Sequence, residues 1–468
     1  MSPSPQASFT EDHQVEQPAI ALLAHLGWAA LDARTPEGSD AALGRKSKTE
    51  AMLPARLRAV LDRLNPGLPP AALDAAADEV TRDRSGMTPV AANRDLWQLL
   101  RDGVAVAVPN PDGGQRVERV RLVDWDIPAN NDFLLVSQLT VKGALYTCRP
   151  DLVGFVNGLL WVVLELKKPG VPAKQAFEAN LTSYKHALNG VPRLFWANLL
   201  LIASNGTDSR VGSLTADWER YFEWKRVERE DEPRRVSLDV MLRGLCEPGR
   251  LLDIAENFTL FSEHKAGVVK VLAQNHQYLG VNNAIRAMLK ARAEGHGRGG
   301  VFWQTQGSGK SFSMVFFAQK VLRKLPGNWT FVVVTDRLEL DQQIASTFAD
   351  CGAVADATQA HAGSGAELRE LLAGNQRYVF RLIHKFQSAD VLCDRSDVIV
   401  LTDEAHRSQY NTLALNMRAA LPRGHLCGLH RHAADRGRGA HPRGVWRLRV
   451  DLRLSAVDRG RRDGAAVL

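Results

Sequence analysis

Asp151, Glu165 and Lys167 lie in the segment RPDLVGFVNGLLWVVLELKKPG, one acid before a turn and an acid–lysine pair after it. Two carboxylates held close together can bind Mg²⁺, and a nearby ammonium can orient an attacking water and offset charge on a phosphate. Alternation along a strand puts Glu165 and Lys167 on one face. Asn157-Gly158 is a two-residue hairpin signal. With that turn alone Asp151 faces Leu164, one position from Glu165; a Gly bulge or a three-residue loop would bring the two acids opposite each other. An ExK tripeptide in a strand is most often an edge salt bridge. The hairpin, the Pro-Asp element before it and the helix expected after it shift the reading toward a phosphodiesterase site of the PD-(D/E)xK type.

A second chemistry is written in VFWQTQGSGKSFSMVFFAQKVL, which reads as strand, Gly-rich turn and helix. Glycines let backbone N–H groups wrap a phosphate at a helix N-terminus, where the helix dipole favours anions. In that role Gly307, Ser308 and Gly309 shape the loop, Lys310 reaches the β/γ-phosphates and Ser311 holds Mg²⁺. Gln304 stands where the first Gly of the full GxxxxGK[ST] pattern belongs, which brings QGSGKS closer to the superfamily 2 helicase form of the loop. About ninety residues on, the strand DVIVLTDE runs into Asp403-Glu404-Ala405-His406. An acid at the C-terminal end of a parallel strand sits where doubly wound sheets bind ligands. Asp403 would hold Mg²⁺ and Glu404 would polarise the attacking water, with His406 completing the motif. Alone, four residues could be a solvated strand end; in this order and spacing the two motifs together indicate an NTPase. VVVTDRLELDQQ and LIHKFQ are weaker fits to the same scheme, and Gln277, in the helix before the loop, is a further candidate.

The elements that must carry these residues divide the chain. With 468 residues there is room for two or three cores. Residues 14–32 have helical spacing and include Glu16; residues 50–104 continue helical with a turn at NPGLPP. From about Val117 short apolar strands alternate with turns, which predicts an α+β or mixed α/β domain over 1–255. Beyond it, VFWQT, WTFVVVTD, YVFRLIH and DVIVLTDE alternate with helices, the signature of a parallel sheet covered on both faces over 256–422.

The formal charge of +7 invites a nucleic-acid reading, but its location does not. Residues 423–468 hold eleven Arg, no Lys, four Asp and no Glu, so the chain before Arg423 is net neutral. No run is apolar enough to span a membrane, and the N-terminus lacks a secretory pattern. Five scattered cysteines without a CxxC pair favour reduced thiols, hence a cytoplasmic protein.

From about residue 14 to Pro422 the sequence resembles the R subunit of type I restriction enzymes, the motor and endonuclease component. VEQPAIALLAHLGW, LNPGLP, NNDFLLVSQLTV, GLLWVVLELKKP, LIASNG and WQTQGSGKS carry the resemblance beside the two motifs. It implies a restriction-endonuclease-like domain followed by RecA-like motor domains. It also implies ATP and Mg²⁺ as cofactors, double-stranded DNA as substrate, and modification and specificity subunits as partners. S-adenosylmethionine enters only through the methyltransferase partner. Matched position by position, Asp151, Glu165 and Lys167 carry the nuclease motif and Glu16 the acidic position of the first helix. Where such nucleases often have Gln-x-x-x-Tyr, this chain reads Asn180-Leu-Thr-Ser-Tyr184. The alternative readings are another superfamily 2 helicase–nuclease of repair or defence, or a remnant that only binds DNA or partner subunits.

After Pro422 the resemblance stops. Residues 423–468 are expected to be a disordered or poorly folded frameshift product: one permitted back-translation of GHLCGLHRHAADR, read one nucleotide on, yields Thr-Gly-Thr-Pro, which the family places after DEAH. That expectation implies a chain truncated before its second motor domain and unable to translocate, and sequencing the gene across Pro422 tests it.

Overall fold

The computed structural model describes residues 12–431 except 111, 187–188, 230–231, 234, 296–297, 305–308, 356–360, 387–389 and 404–409. It forms two compact units, Met1–Asn275 and His276–Leu468.

In the first unit three helices, Pro54–Leu64, Pro70–Thr81 and Pro89–Asp102, each begin on a proline. The missing N–H costs nothing there, because the first turn has no intrahelical acceptor for it. Thr88 caps the third of them by accepting from the Ala91 amide. The unit's sheet is mixed: β1 (Ala29–Asp32), β2 (Phe133–Ser137), β3 (Leu152–Val156), β4 (Leu159–Leu166), β5 (Leu200–Ser204) and β6 (Ser209–Gly212) lie side by side in chain order. β1 is parallel to β2 and β4 to β5; the other neighbours are antiparallel. All eight residues of β4 are buried, as its unbroken apolar run requires of a strand covered on both faces.

The structure corrects three expectations about extent. The opening helix is shorter than 14–32: it runs Gln17–His25, and Ala29–Asp32 becomes an edge strand beside β2. Leu26 and Gly27 end the helix, with Gly27 at a φ of 103° that favours glycine. The first unit continues past the boundary read at 255/256, because the hairpin Thr259–His264/Gly267–Leu272 packs back on it. Phe261 meets Trp97, and Lys270 bonds to Asn93 and Asn198.

The third correction concerns the second unit. Its sheet is parallel throughout and has five strands: β7 (Arg298–Gln304), β8 (Thr330–Thr335), β9 (Tyr378–Leu382), β10 (Val398–Asp403) and β11 (His425–Arg431), in the order β7-β11-β10-β8-β9. β11 falls inside the stretch expected to be unfit to fold. It fills the slot between β7 and β10, pairing Leu426 with Val400 and Cys427 with Leu401. Ladder bonds come from the main chain, so a strand that sets Leu426 and Cys427 into the sheet can also take the polar residue beside them, His425. Residues from 432 onward lie outside the described residues.

Candidate functional site

The hairpin β3–β4 decides whether the acids meet. Asn157 and Gly158 both have positive φ, 53° and 76°, as a two-residue hairpin turn needs. Asn157 is held there by its side chain: Nδ2 donates to the Leu122 carbonyl and to Asn131 Oδ1, and Oδ1 accepts from the Asp132 amide. A Cβ on Gly158 would lie 2.5 Å from the Leu53 carbonyl oxygen, so glycine is also sterically required. Val156 pairs with Leu159 and Phe155 with Leu160, but Gly154 pairs with Val162. Trp161 is therefore an extra residue, a bulge, and beyond it the register runs Val153–Val163 and Leu152–Leu164. Continuing that register sets Asp151 against Glu165. Gly154 permits this: a Cβ there would come within 2.9 Å of the Trp28 ring.

The two acids and their neighbours form one cluster at the end of β4. Asp151 Oδ2 accepts from the Leu166 amide at 2.7 Å, so the acid is bonded to the partner strand one residue past Glu165. Glu165 is fully buried; Oε2 accepts from Asn180 Nδ2, and Oε1 has no hydrogen-bond partner. Asn180 also donates to the Tyr184 hydroxyl at 3.4 Å, which lies near enough to the Glu165 carboxyl to favour its charged form. Both Asn180 and Tyr184 lie on the segment Ala176–Lys185, which is expected to be an ordinary helix but begins as a π-turn before one α-turn. Such turns recur at functional sites. Lys167, just past β4, donates to the Leu166 carbonyl at 2.9 Å and lies near enough to both acids to favour their charged forms.

Burial raises the Glu165 carboxyl well above the usual range, and the Asp151 charge adds to this. Asp151 is also raised by burial, against the Leu166 amide and Lys167. Nearby Cys148 is pushed up to about 12 by burial and by Glu165, so it is an inert thiol.

Glu16 reaches the same cluster from a π-turn, Asp12–Glu16, that precedes the first helix. Its carboxylate accepts from Gln138 Nε2 at 3.2 and 3.3 Å. Gln138 is the residue sequence reasoning missed. The only signal was a polar residue interrupting the apolar run FLLVSQLTV.

Mg²⁺ fits this donor set. Among the described residues no group of three or more His, Cys, Asp or Glu side chains is placed to hold a metal ion. Mg²⁺ asks for less: it keeps several waters and uses one or two carboxylates, and Glu165 Oε1 is an unpaired buried acceptor.

In the second unit Gly309 adopts the left-handed conformation, φ 78° and ψ 41°, at the N-terminus of the helix Lys310–Lys324. Lys310 and Ser311 occupy the first turn, half-buried. Gln277 is buried and anchors this corner, donating to the Gly309 carbonyl at 2.9 Å and to Ser313 Oγ at 3.2 Å. β10 ends at Asp403, on the central part of the sheet. Gly307, Ser308, Glu404 and His406 lie outside the described residues, and so does the side chain of Asp403. Asp341 in VVVTDRLELDQQ is buried and tied to Thr335 and His361 within the unit.

A helix N-terminus after the first strand of a parallel sheet is a common place for phosphate to bind, and residues 276–430 match the SWI2/SNF2 ATPase family. Residues 8–220 match the N terminus of the type I restriction enzyme R protein. The chain belongs with the type I restriction enzyme R proteins. It is 37% identical over 418 residues to the type I restriction enzyme HindI endonuclease subunit of Haemophilus influenzae, covering 85% of this chain and 39% of that one. With the putative MjaIXP endonuclease subunit of Methanocaldococcus jannaschii it shares 31% identity over 456 residues, 89% of this chain and 42% of that one. The chain thus spans about two fifths of the length of these relatives. Among solved structures, the UvsW helicase from Bacteriophage T4 is similar to 37% of this chain and 55% of that chain, with 13% identity and a TM-score of 0.27. All five cysteines are free, and among the described residues no helix is long and apolar enough to cross a membrane.

Proposed function

We propose that the first unit is a PD-(D/E)xK nuclease and the second an ATP-binding motor domain. Together they serve in a type I restriction–modification system that cleaves unmodified double-stranded DNA away from its recognition site. The observation that carries the reading is the bulge at Trp161, which sets Asp151 against a buried Glu165 with an unpaired oxygen. Asp151 and Glu165 would hold Mg²⁺, which supplies an activated water and charge stabilisation at the scissile phosphate. Lys167 offsets the negative charge of the pair and of the phosphate. Asn180, itself bonded to the Tyr184 hydroxyl, fixes Oε2 of Glu165, so that Oε1 is the atom left free.

In the motor, Lys310 and Ser311 would contact the phosphates and Mg²⁺ of ATP, and the loop and acidic motif around Gly307, Ser308, Asp403, Glu404 and His406 would complete the site. Specificity and modification subunits are the partners, S-adenosylmethionine enters through the latter, and the cytoplasm is the compartment.

The test is a Mg²⁺-dependent DNA cleavage assay on the purified chain. Glu165→Ala is expected to abolish cleavage while leaving the far-ultraviolet circular dichroism of the chain unchanged. Unchanged cleavage by that variant would overturn the nuclease assignment.

A further inference from the structure

A short hairpin between β2 and β3 carries apolar side chains into solvent beside the acidic cluster. Its strands, Val141–Lys142 and Thr147–Cys148, are antiparallel, and the Gly143 amide closes the turn by donating to the Tyr146 carbonyl at 2.7 Å. The feet are fixed: Val141 and Cys148 are buried in the same core cluster as Tyr184. The tip is open, with Leu145 78% and Tyr146 39% exposed. The Tyr146 ring packs on Tyr184, with centroids 6.3 Å apart and planes tilted by 42°. The chain leaving the hairpin passes Arg149 and Pro150 and arrives at Asp151, so Leu145 lies within about 20 Å of that acid. The surface around the hairpin is basic. Residues 45–50 run beside it: the Lys142 amide donates to the Lys48 carbonyl at 2.8 Å, and the buried Arg45 donates from Nη2 to the carbonyls of Lys48 and Thr140, both at 3.0 Å. Lys46, Lys48, Lys142 and Arg149 are exposed on these stretches, and across 45–50 and 141–150 the one acid in the sequence is Glu50. A single exposed Leu needs no explanation, but an apolar tip flanked by cations at the edge of a phosphodiester site does.

Resting on the nuclease reading above, we infer that this hairpin positions the duplex: its tip enters the minor groove beside the scissile phosphate, while Lys46, Lys48, Lys142 and Arg149 hold flanking phosphates. Side chains such as Leu act as wedges between base steps in that groove, and Lys and Arg meet the backbone on either side. Duplex DNA carries one negative charge per ~1.7 Å of its axis, which the exposed cations complement. A protein partner fits this patch less well, because interface cores are depleted in Lys and draw on a larger apolar area. The two kinds of residue do different work. The cations supply affinity that salt weakens by counterion competition; the tip supplies contact that salt does not screen. Tyr146 packs on Tyr184, whose hydroxyl accepts from Asn180, and Asn180 holds Glu165. A duplex seated on the tip is therefore in fixed register with the buried carboxyl.

The experiment is an anisotropy titration of a short fluorescent DNA duplex with the full chain, over a series of salt concentrations and without divalent cations, so that the DNA stays uncut. It compares the parent with the combined variant Lys46→Gln, Lys48→Gln, Lys142→Gln and with Leu145→Ser, and Mg²⁺-dependent cleavage of the same duplex is measured beside it. All four side chains are exposed, so both variants should keep the parent's circular dichroism and melting temperature. Each lost phosphate contact takes about 0.9 from the slope of log affinity against log salt. The combined variant is therefore expected to bind roughly tenfold more weakly with a slope flatter by about 2 to 3. Leu145→Ser is expected to bind several-fold more weakly with the parent's slope, a separation that a merely structural role would not give. Cleavage below saturation should fall in step with affinity in both. An unchanged slope in the combined variant, or affinity within about twofold of the parent in Leu145→Ser, would overturn the inference; loss of cleavage in Glu165→Ala would then leave the nuclease reading standing. If the parent neither binds nor cuts the duplex, both fall together.

Discussion

Lys270 gives the sharpest quantitative handle on the scaffold behind the site. It is buried in the first unit, with Nζ donating to Asn93 Oδ1 at 2.9 Å and to the Asn198 carbonyl. Burial without a carboxylate partner pushes its ammonium from 10.5 down to about 7. The shift of 10.5 minus 7 is worth about 5 kcal/mol at roughly 1.4 kcal/mol per pH unit. Because the folded value lies below the unfolded one, the unfolded chain binds the extra proton between pH 7 and 10.5. Stability must therefore rise with pH across that window and be flat below it. The substitution Lys270→Met removes the proton and makes this contribution vanish. Between pH 7 and 10 the parent is expected to gain about 3 to 4 kcal/mol relative to the methionine variant. Any loss from unpaired acceptors in the variant shifts its curve by a constant and does not enter the slope. Urea unfolding of both full chains at pH 7, 8, 9 and 10 measures it, following the tryptophan fluorescence change of the first unit, where Trp97 and Trp161 lie around the lysine. Two parallel stability-versus-pH lines would refute the reasoning.

Two further outcomes follow from close approaches in the fold. Gly154→Ala would place a Cβ 2.9 Å from Trp28 and 3.2 Å from Val162, costing about 1–3 kcal/mol in thermal or chemical melts and lowering nuclease activity through the displaced bulge. Gln277→Ala removes the anchor on the Gly309 carbonyl and should weaken nucleotide binding several-fold, read by fluorescent ATP-analogue titration, with cleavage-site Mn²⁺ binding unchanged.

Sequence pattern reached the layers more readily than the joints. The apolar runs of β4 and of β8 to β10 announced their strands because burial on both faces leaves no room for alternation. The register of β3 on β4 stayed open between two choices. The choice depends on Gly154 lying under the Trp28 ring, a meeting of residues far apart in the chain. Gln138 was invisible for a similar reason: its partner Glu16 comes from another element, and positive φ has no sequence mark on a glutamine. β11 was missed because composition speaks for side chains, whereas a place in a parallel sheet is also secured by main-chain bonds. The spacing after β4 predicts a helix, but nothing in it marks the π-turn that carries Asn180 to Glu165.

The bulge at Trp161 also limits how this hairpin can change length. It takes up the one residue by which a two-residue turn would otherwise leave Asp151 facing Leu164. Losing Trp161 alone would leave a regular hairpin in which Asp151 still faces Glu165, whereas a residue inserted between Val163 and Leu164, past the bulge, would shift Glu165 by one position and turn it to the other side of the sheet. The hairpin is therefore expected to tolerate a deletion at the bulge and to be silenced by an insertion beyond it. A Trp161 deletion that keeps cleavage beside an insertion that abolishes it would show that the site depends on the register of its acids, rather than on the side chain at the bulge.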